Sequence, residues 1–170
     1  MENINFKIIA CNPKNNLLFD KEDSKLSEAI YTIFPMENED AILIWGDEKI
    51  LLSYRYDISE MIDDIMQMFF ALQKSDSGEW FVDWTSNTFA SNWKFRWLKN
   101  CLEIEVDWRE EFNATNYLKK NNVLKIDKDI FLNEWRKITK VIQVNLKECG
   151  YSCECLKDMM LLNEINNSLM

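Results

Sequence analysis

The clearest pattern in the chain is an alternation of apolar and polar residues on both sides of Lys99 and Asn100. If these two residues form a tight turn, antiparallel pairing brings large apolar residues together on one face: Trp97 with Leu102, Phe95 with Ile104, and Trp93 with Val106. The other face then carries two oppositely charged pairs, Arg96 with Glu103 and Lys94 with Glu105. A slip of one residue would place Trp opposite Glu and Lys opposite Ile, so the pattern predicts this hairpin and its register.

Shorter apolar runs predict further strands over residues 3–11, 41–45, 50–54, 80–84 and 122–126. Residues 46–49, which include the chain's first glycine, form a turn-rich connection of hairpin length between the second and third of these strands. Residues 86–91 form the loop that joins the strand 80–84 to the hairpin as a meander.

Helical spacing of apolar residues predicts four helices, over residues 24–33, 58–74, 127–148 and 153–167. Asp57 or Ser59 is expected to cap the second helix, and Glu60 completes a reciprocal capping pattern with Asp57. Asp127 caps the third helix, which ends before Gly150. Because runs of strands alternate with helices, we expect an α+β fold in one domain, 1–170. It should have a mainly antiparallel sheet, helices packed on it and two helices at the C-terminus.

The chain is strongly acidic, with a formal net charge of −9 over 170 residues. Such a charge repels nucleic-acid phosphates and anionic lipid and attracts basic proteins, so neither direct nucleic-acid binding nor membrane binding is expected. No apolar run is long enough to span a bilayer, and Met1-Glu2-Asn3 opens without a basic leader, so we expect a cytoplasmic location. The sequence leaves the oligomeric state open.

The sequence lacks the residues on which several classes of enzyme usually depend. The chain contains no histidine and only 3 glycines, which leaves no common general base, phosphate loop or dinucleotide fingerprint. Cys149, Cys153 and Cys155 form a cluster of three soft ligands without a fourth, so we expect neither a metal nor a cofactor. The carboxylate pair Asp63-Asp64 leaves a carboxylate-dependent metal enzyme as a weaker alternative, although acidic residues are common on the polar side of such a helix. We therefore expect a protein that is not an enzyme.

Carboxylates gather at positions expected to face outward, which indicates a partner-binding face. They are Asp57, Glu60, Asp63 and Asp64 on the second helix, Asp47 and Glu48 in a turn, and Glu110 and Glu111 after a strand. Trp45 and Phe89 lie close to turns and are expected to be exposed aromatic anchors of the same interface. The other tryptophans and the methionines at 61, 66 and 68 are expected to fill the core. The alternative interpretation of the carboxylates is an ordinary solvated surface.

Three segments give the chain a resemblance to a known class of proteins: Asp83-Trp84-Thr85-Ser86, Trp93-Lys94-Phe95-Arg96-Trp97, and the closing helix that carries Trp135. In overall style the chain resembles immunity proteins of bacterial contact-dependent growth inhibition and related polymorphic toxin systems. The resemblance implies a protein that binds the C-terminal domain of a cognate toxin, often a basic nuclease, and occludes its active site or substrate surface. It assigns no contact residue. A protein-interaction or scaffold domain unrelated to toxins is the main alternative.

Overall fold

The computed structural model describes residues 5–86, 88–109 and 114–167. The strands are β1 (Phe6–Ile9), β2 (Ala41–Trp45), β3 (Glu48–Leu52), β4 (Ser77–Ser86), β5 (Phe89–Leu98), β6 (Cys101–Trp108) and β7 (Val123–Asp127). The α-helices are α1 (Leu26–Ile33), α2 (Ser59–Lys74), α3 (Asn116–Lys120), α4 (Lys128–Glu148) and α5 (Met159–Asn167). A π-helical turn, Tyr54–Ile58, leads directly into α2.

The strands form two antiparallel sheets, one in the order β1-β2-β3 and the other in the order β4-β5-β6-β7. The α+β class and the antiparallel pairing are as the sequence predicts, although the strands divide into two sheets instead of one, and α4 and α5 close the fold at the C-terminal end. The predicted hairpin register is confirmed, since Trp97 pairs with Leu102 and Arg96 pairs with Glu103. Glu103 also contacts Lys125 on β7, so one carboxylate joins three strands.

Both predicted connections between strands are shorter than the sequence indicates. Trp45 pairs with Glu48, which leaves only Gly46 and Asp47 between β2 and β3, and Gly46 has the positive φ of 62° that such a turn requires. Ser86 pairs with Phe89, so the predicted loop 86–91 belongs mostly to β4 and β5. Polar residues there had indicated a loop, whereas the long pairing of β4 with β5 extends both strands to the turn.

Trp45 and Phe89 are fully buried, so the prediction that they are exposed anchors is wrong. The Trp45 ring lies 5.5 Å from that of Trp93 and 5.6 Å from that of Trp108, which brings β2 of one sheet against the other sheet. The Phe89 ring lies 6.0 Å from that of Trp93. A position beside a turn is usually exposed in a single sheet, but here the two sheets bury these ends against each other.

Helix α4 packs against both sheets and completes this aromatic core. Its Trp135 ring stacks on Trp84 at 6.0 Å, and its Phe131 ring lies 5.0 Å from Phe6 on β1. The predicted cap of α4 is confirmed, because the Asp127 carboxylate accepts hydrogen bonds from the backbone N–H groups of residues 129 and 130. The last helix starts later than predicted, because turns at residues 153–155 and 157–158 precede α5.

The beginning of α2 also differs from the prediction. The cap is Ser53, whose hydroxyl accepts a hydrogen bond from the Tyr56 N–H, and the π-helical turn follows it. Asp57 therefore lies inside the first turn instead of preceding the helix, and its side chain is buried. The reciprocal pattern formed by Asp57 and Glu60 has the right spacing, but Ser53 provides an earlier cap.

Candidate functional site

Asp57 is a structural residue and does not belong to an outward acidic face, which corrects the prediction. It is 2% exposed. Its carboxylate accepts hydrogen bonds from the Ser53 N–H at 2.7 Å, from the Ser86 hydroxyl at 2.6 Å and from the Thr88 hydroxyl. Buried carboxylates persist where several donors replace their lost hydration, and these three donors do so.

The remaining predicted carboxylates fall into separate regions. Asp47 is exposed in the β2–β3 turn, and Glu48 accepts a hydrogen bond from the Thr115 hydroxyl at 2.7 Å, next to α3. Glu110 and Glu111 lie outside the described residues. Glu60, Asp63 and Asp64 follow one another on α2, where Glu60 and Asp63 are exposed and Asp64 is half-buried. The three α2 residues therefore form the part of the predicted face that the described structure brings together.

Glu60 lines a groove of about 380 Å³ between α1 and the beginning of α2. Three carboxylates border this α1–α2 groove: Asp23, Glu28 and Glu60. Two tyrosines line it, Tyr31 of α1 and Tyr56 of the π-helical turn, and their side chains are 46% and 40% exposed. The groove thus combines carboxylates with exposed aromatic surface, a combination that suits contact with another protein.

Arg55 is the one basic residue among the described residues that line this groove, and helix α1 engages it. Its Nη1 donates to the backbone carbonyls of Tyr31 at 2.7 Å and Phe34 at 2.8 Å, at the C-terminal end of α1. Its guanidinium also lies 3.8 Å over the Tyr31 ring. Arg55 therefore fixes the Tyr31 ring and satisfies carbonyls at the end of the helix.

Glu28 is held in its charged form. Its carboxylate accepts hydrogen bonds from the Ser24 N–H at 2.8 Å, from the Ser24 hydroxyl at 3.1 Å and from the Lys25 N–H at 3.1 Å. The hydrogen bond from the Ser24 backbone is the largest cause that lowers the pKa of Glu28. Glu28 consequently keeps its negative charge to a lower pH than an ordinary glutamate does.

The pKa values of Asp63 and Asp64 are raised, in contrast to that of Glu28. Packing removes part of the hydration of Asp63 and raises its pKa, the Asp158 carboxylate raises it further, and Lys25 lowers it. Loss of hydration also raises the pKa of Asp64, and the charges of Asp63 and Asp83 add to the increase. The negative charges of Asp158 and Asp83 therefore add to the cost of ionising Asp63 and Asp64, and a nearby cation would offset this repulsion.

The groove also contains residues that were not predicted from the sequence, namely Asp23, Glu28, Tyr31 and Tyr56. Tyr31 carried a usable signal, because it is a large aromatic residue on α1 that lies outside the apolar stripe formed by Leu26, Ala29, Ile30 and Ile33. No feature of the sequence predicts that α1 packs against the π-helical turn, because two strands separate the two segments along the chain.

Neither a metal site nor a membrane span is found in the part of the chain that the structure describes. No three Cys, Asp or Glu side chains among those residues are grouped as a metal site would require. None of the described helices is both long and apolar enough to cross a membrane. Comparison of the chain with protein-family models, with curated proteins and with solved structures finds no match.

Proposed function

We propose that this protein binds and neutralises a basic protein, the C-terminal domain of a cognate bacterial toxin, as immunity proteins do. The observation that carries the proposal is the α1–α2 groove, in which three carboxylates border two exposed tyrosines. Tyrosine is enriched at the centres of interfaces because it provides a large contact area with few rotatable bonds. Carboxylates around it would pair with lysine and arginine on the partner.

The acidic residues of α2 extend this surface beyond the groove. Glu60 borders the α1–α2 groove, and Asp63 lines a second groove of about 350 Å³ that also contains Phe70 and Leu161. Loss of hydration is the main cause of the raised pKa values of Asp63 and Asp64, and a basic partner would offset the repulsion from neighbouring carboxylates that adds to it. Spaced carboxylates on a rigid helix also imitate the phosphates that a nuclease binds, and they accelerate capture by electrostatic steering.

Neutralisation would follow from occlusion of the toxin's active site or substrate surface. Catalysis is not needed for this function, because a bound acidic domain excludes a negatively charged substrate both by its volume and by its charge. A partner held in this way should dissociate more readily in salt, since exposed charge pairs are screened over about 8 Å at physiological ionic strength.

The proposal predicts a toxin gene immediately upstream, and co-expression with the C-terminal domain of that toxin tests it. Cells that die when they express the toxin domain alone should survive, and the two proteins should co-purify in a complex that weakens as salt is raised. A catalytically inactive toxin variant permits the same affinity measurement without cell death. The absence of an adjacent toxin gene, or cell death together with no detectable complex, would refute the proposal.

A further inference from the structure

Three consecutive apolar residues protrude from the loop between β1 and α1. Leu17 is 72% exposed, Leu18 is 55% exposed and Phe19 is 47% exposed. Isolated exposed leucines are common on protein surfaces, but three consecutive exposed apolar side chains are typical of an interaction site. We refer to residues 17–19 as the apolar knob.

The apolar knob is held in place at both ends by polar contacts. Before it, the Asn15 Nδ2 donates to Asn145 Oδ1 at 2.8 Å and to Glu148 Oε2 at 2.8 Å, both near the C-terminal end of α4. After it, the Asp20 N–H donates to the Tyr151 hydroxyl at 3.1 Å, and that hydroxyl donates to Asp23. The Phe19 ring packs on Tyr151, with 4.7 Å between the ring centroids.

The backbone of the apolar knob is set in an unusual conformation. Leu17 has a φ of 56°, in the left-handed region that residues with a Cβ rarely adopt. The side-chain oxygens of Asn15 and Asn16 stabilise it by accepting hydrogen bonds from the N–H groups of Leu17 at 3.1 Å and Leu18 at 3.0 Å. A backbone that is already fixed in this conformation favours binding through the two exposed leucines, because little conformational entropy is lost when a partner binds.

The apolar knob adjoins the α1–α2 groove. The Asn16 Nδ2 donates to the backbone carbonyl of Thr32 at 3.0 Å, and Thr32 lines the groove. Asp23, at the other end of the loop, lines it as well. One surface therefore carries apolar side chains next to carboxylates and tyrosines, which is the usual arrangement of an apolar centre with a polar rim in a protein interface.

We propose that Leu17 and Leu18 are the apolar anchor of this interface and insert into an apolar cleft on a basic protein. The charge of the adjoining groove favours a cleft bordered by lysine or arginine. This inference rests on the proposed function, because the same partner must contact both the knob and the groove. It adds a contribution to affinity that salt does not screen.

The test compares Leu17→Asn and Leu18→Asn with Leu98→Asn, a control at a position that is 66% exposed at the end of β5. Asparagine tolerates the left-handed conformation, so Leu17→Asn retains the loop. Binding to the inactive toxin domain encoded immediately upstream is measured at low and high salt. Each knob variant should weaken binding about 10-fold, by the same factor at both salt concentrations, while the control binds like wild type.

The possible results separate the anchor from the proposed function. If wild type binds and both knob variants bind equally well, the anchor is refuted and toxin binding stands. If wild type does not bind, both proposals fail. Analytical ultracentrifugation tests whether a second copy of this chain binds the apolar knob instead of a basic protein. If wild type self-associates and Leu18→Asn does not, the proposed anchor is refuted. A thermal melt of each variant identifies misfolding. If Leu17→Asn and Leu18→Asn both melt well below wild type, the two leucines have a folding role and the anchor is refuted.

Discussion

Asp57 and Ser86 are joined by a hydrogen bond of 2.6 Å that connects the π-helical turn before α2 to the end of β4. Both residues are buried, and they lie 29 positions apart in the sequence. The same carboxylate accepts the N–H of Ser53, the residue that caps the π-helical turn. One side chain therefore fixes how the helix enters the fold relative to the β4–β5 turn.

Replacing Asp57 with alanine is expected to destabilise the protein by about 3 kcal/mol, because the buried Ser86 hydroxyl and the donors of Ser53 and Thr88 lose their acceptor, and a cavity forms in its place. Urea unfolding followed by tryptophan fluorescence measures the change. Asp47→Ala, in the exposed β2–β3 turn, removes the same side chain and should change the free energy of unfolding by less than about 0.5 kcal/mol. If Asp57→Ala left stability unchanged and abolished toxin binding, the structural assignment of Asp57 would be wrong.

Asp63→Asn is expected to raise the melting temperature at pH 7. The pKa of Asp63 is raised in the folded protein, so its ionisation costs folding free energy as the pH rises through that pKa. Asparagine removes this cost.

The gain should shrink as the pH falls from the raised pKa of the folded protein towards the ordinary Asp value of 3.8, and it should vanish below that value, where the carboxyl group is protonated in both the folded and the unfolded protein. Thermal melts over this pH range, with Asp47→Asn as a control for loss of one charge, measure the effect. A gain that did not change with pH, or one equal to that of the control, would show that the ionisation of Asp63 does not cost folding free energy.

Glu60→Lys is expected to slow association with the toxin domain about 3- to 10-fold at low salt, with a smaller effect at high salt. Stopped-flow mixing with the inactive toxin domain measures the rate. Asp47→Lys changes the net charge of the protein by the same amount at the β2–β3 turn and should have a much smaller effect. Equal effects of the two substitutions would show that net charge, and not the α1–α2 groove, directs the encounter.

The elements of this fold whose sequence signals are local were predictable. The β5–β6 register follows from two faces that agree in only one alignment, Trp97 with Leu102 on one side and Arg96 with Glu103 on the other. The cap of α4 by Asp127 is equally local, because a carboxylate and the N–H groups it satisfies lie within three residues of one another. Neither feature depends on where other segments of the chain lie.

The tertiary structure alone decided which of the candidate binding residues face outward. Trp45 and Asp57 both have sequence neighbours typical of exposed positions, yet packing of the second sheet buries Trp45, and the β4–β5 turn covers Asp57. The groove arises in the same way, because Tyr31 and Glu60 become neighbours only when α1 packs beside α2. The periodicity of apolar side chains and the capping of helices depend on residues a few positions apart, so the sequence determined the helices and strands. Exposure depends on contacts between distant segments, which only the folded chain brings together.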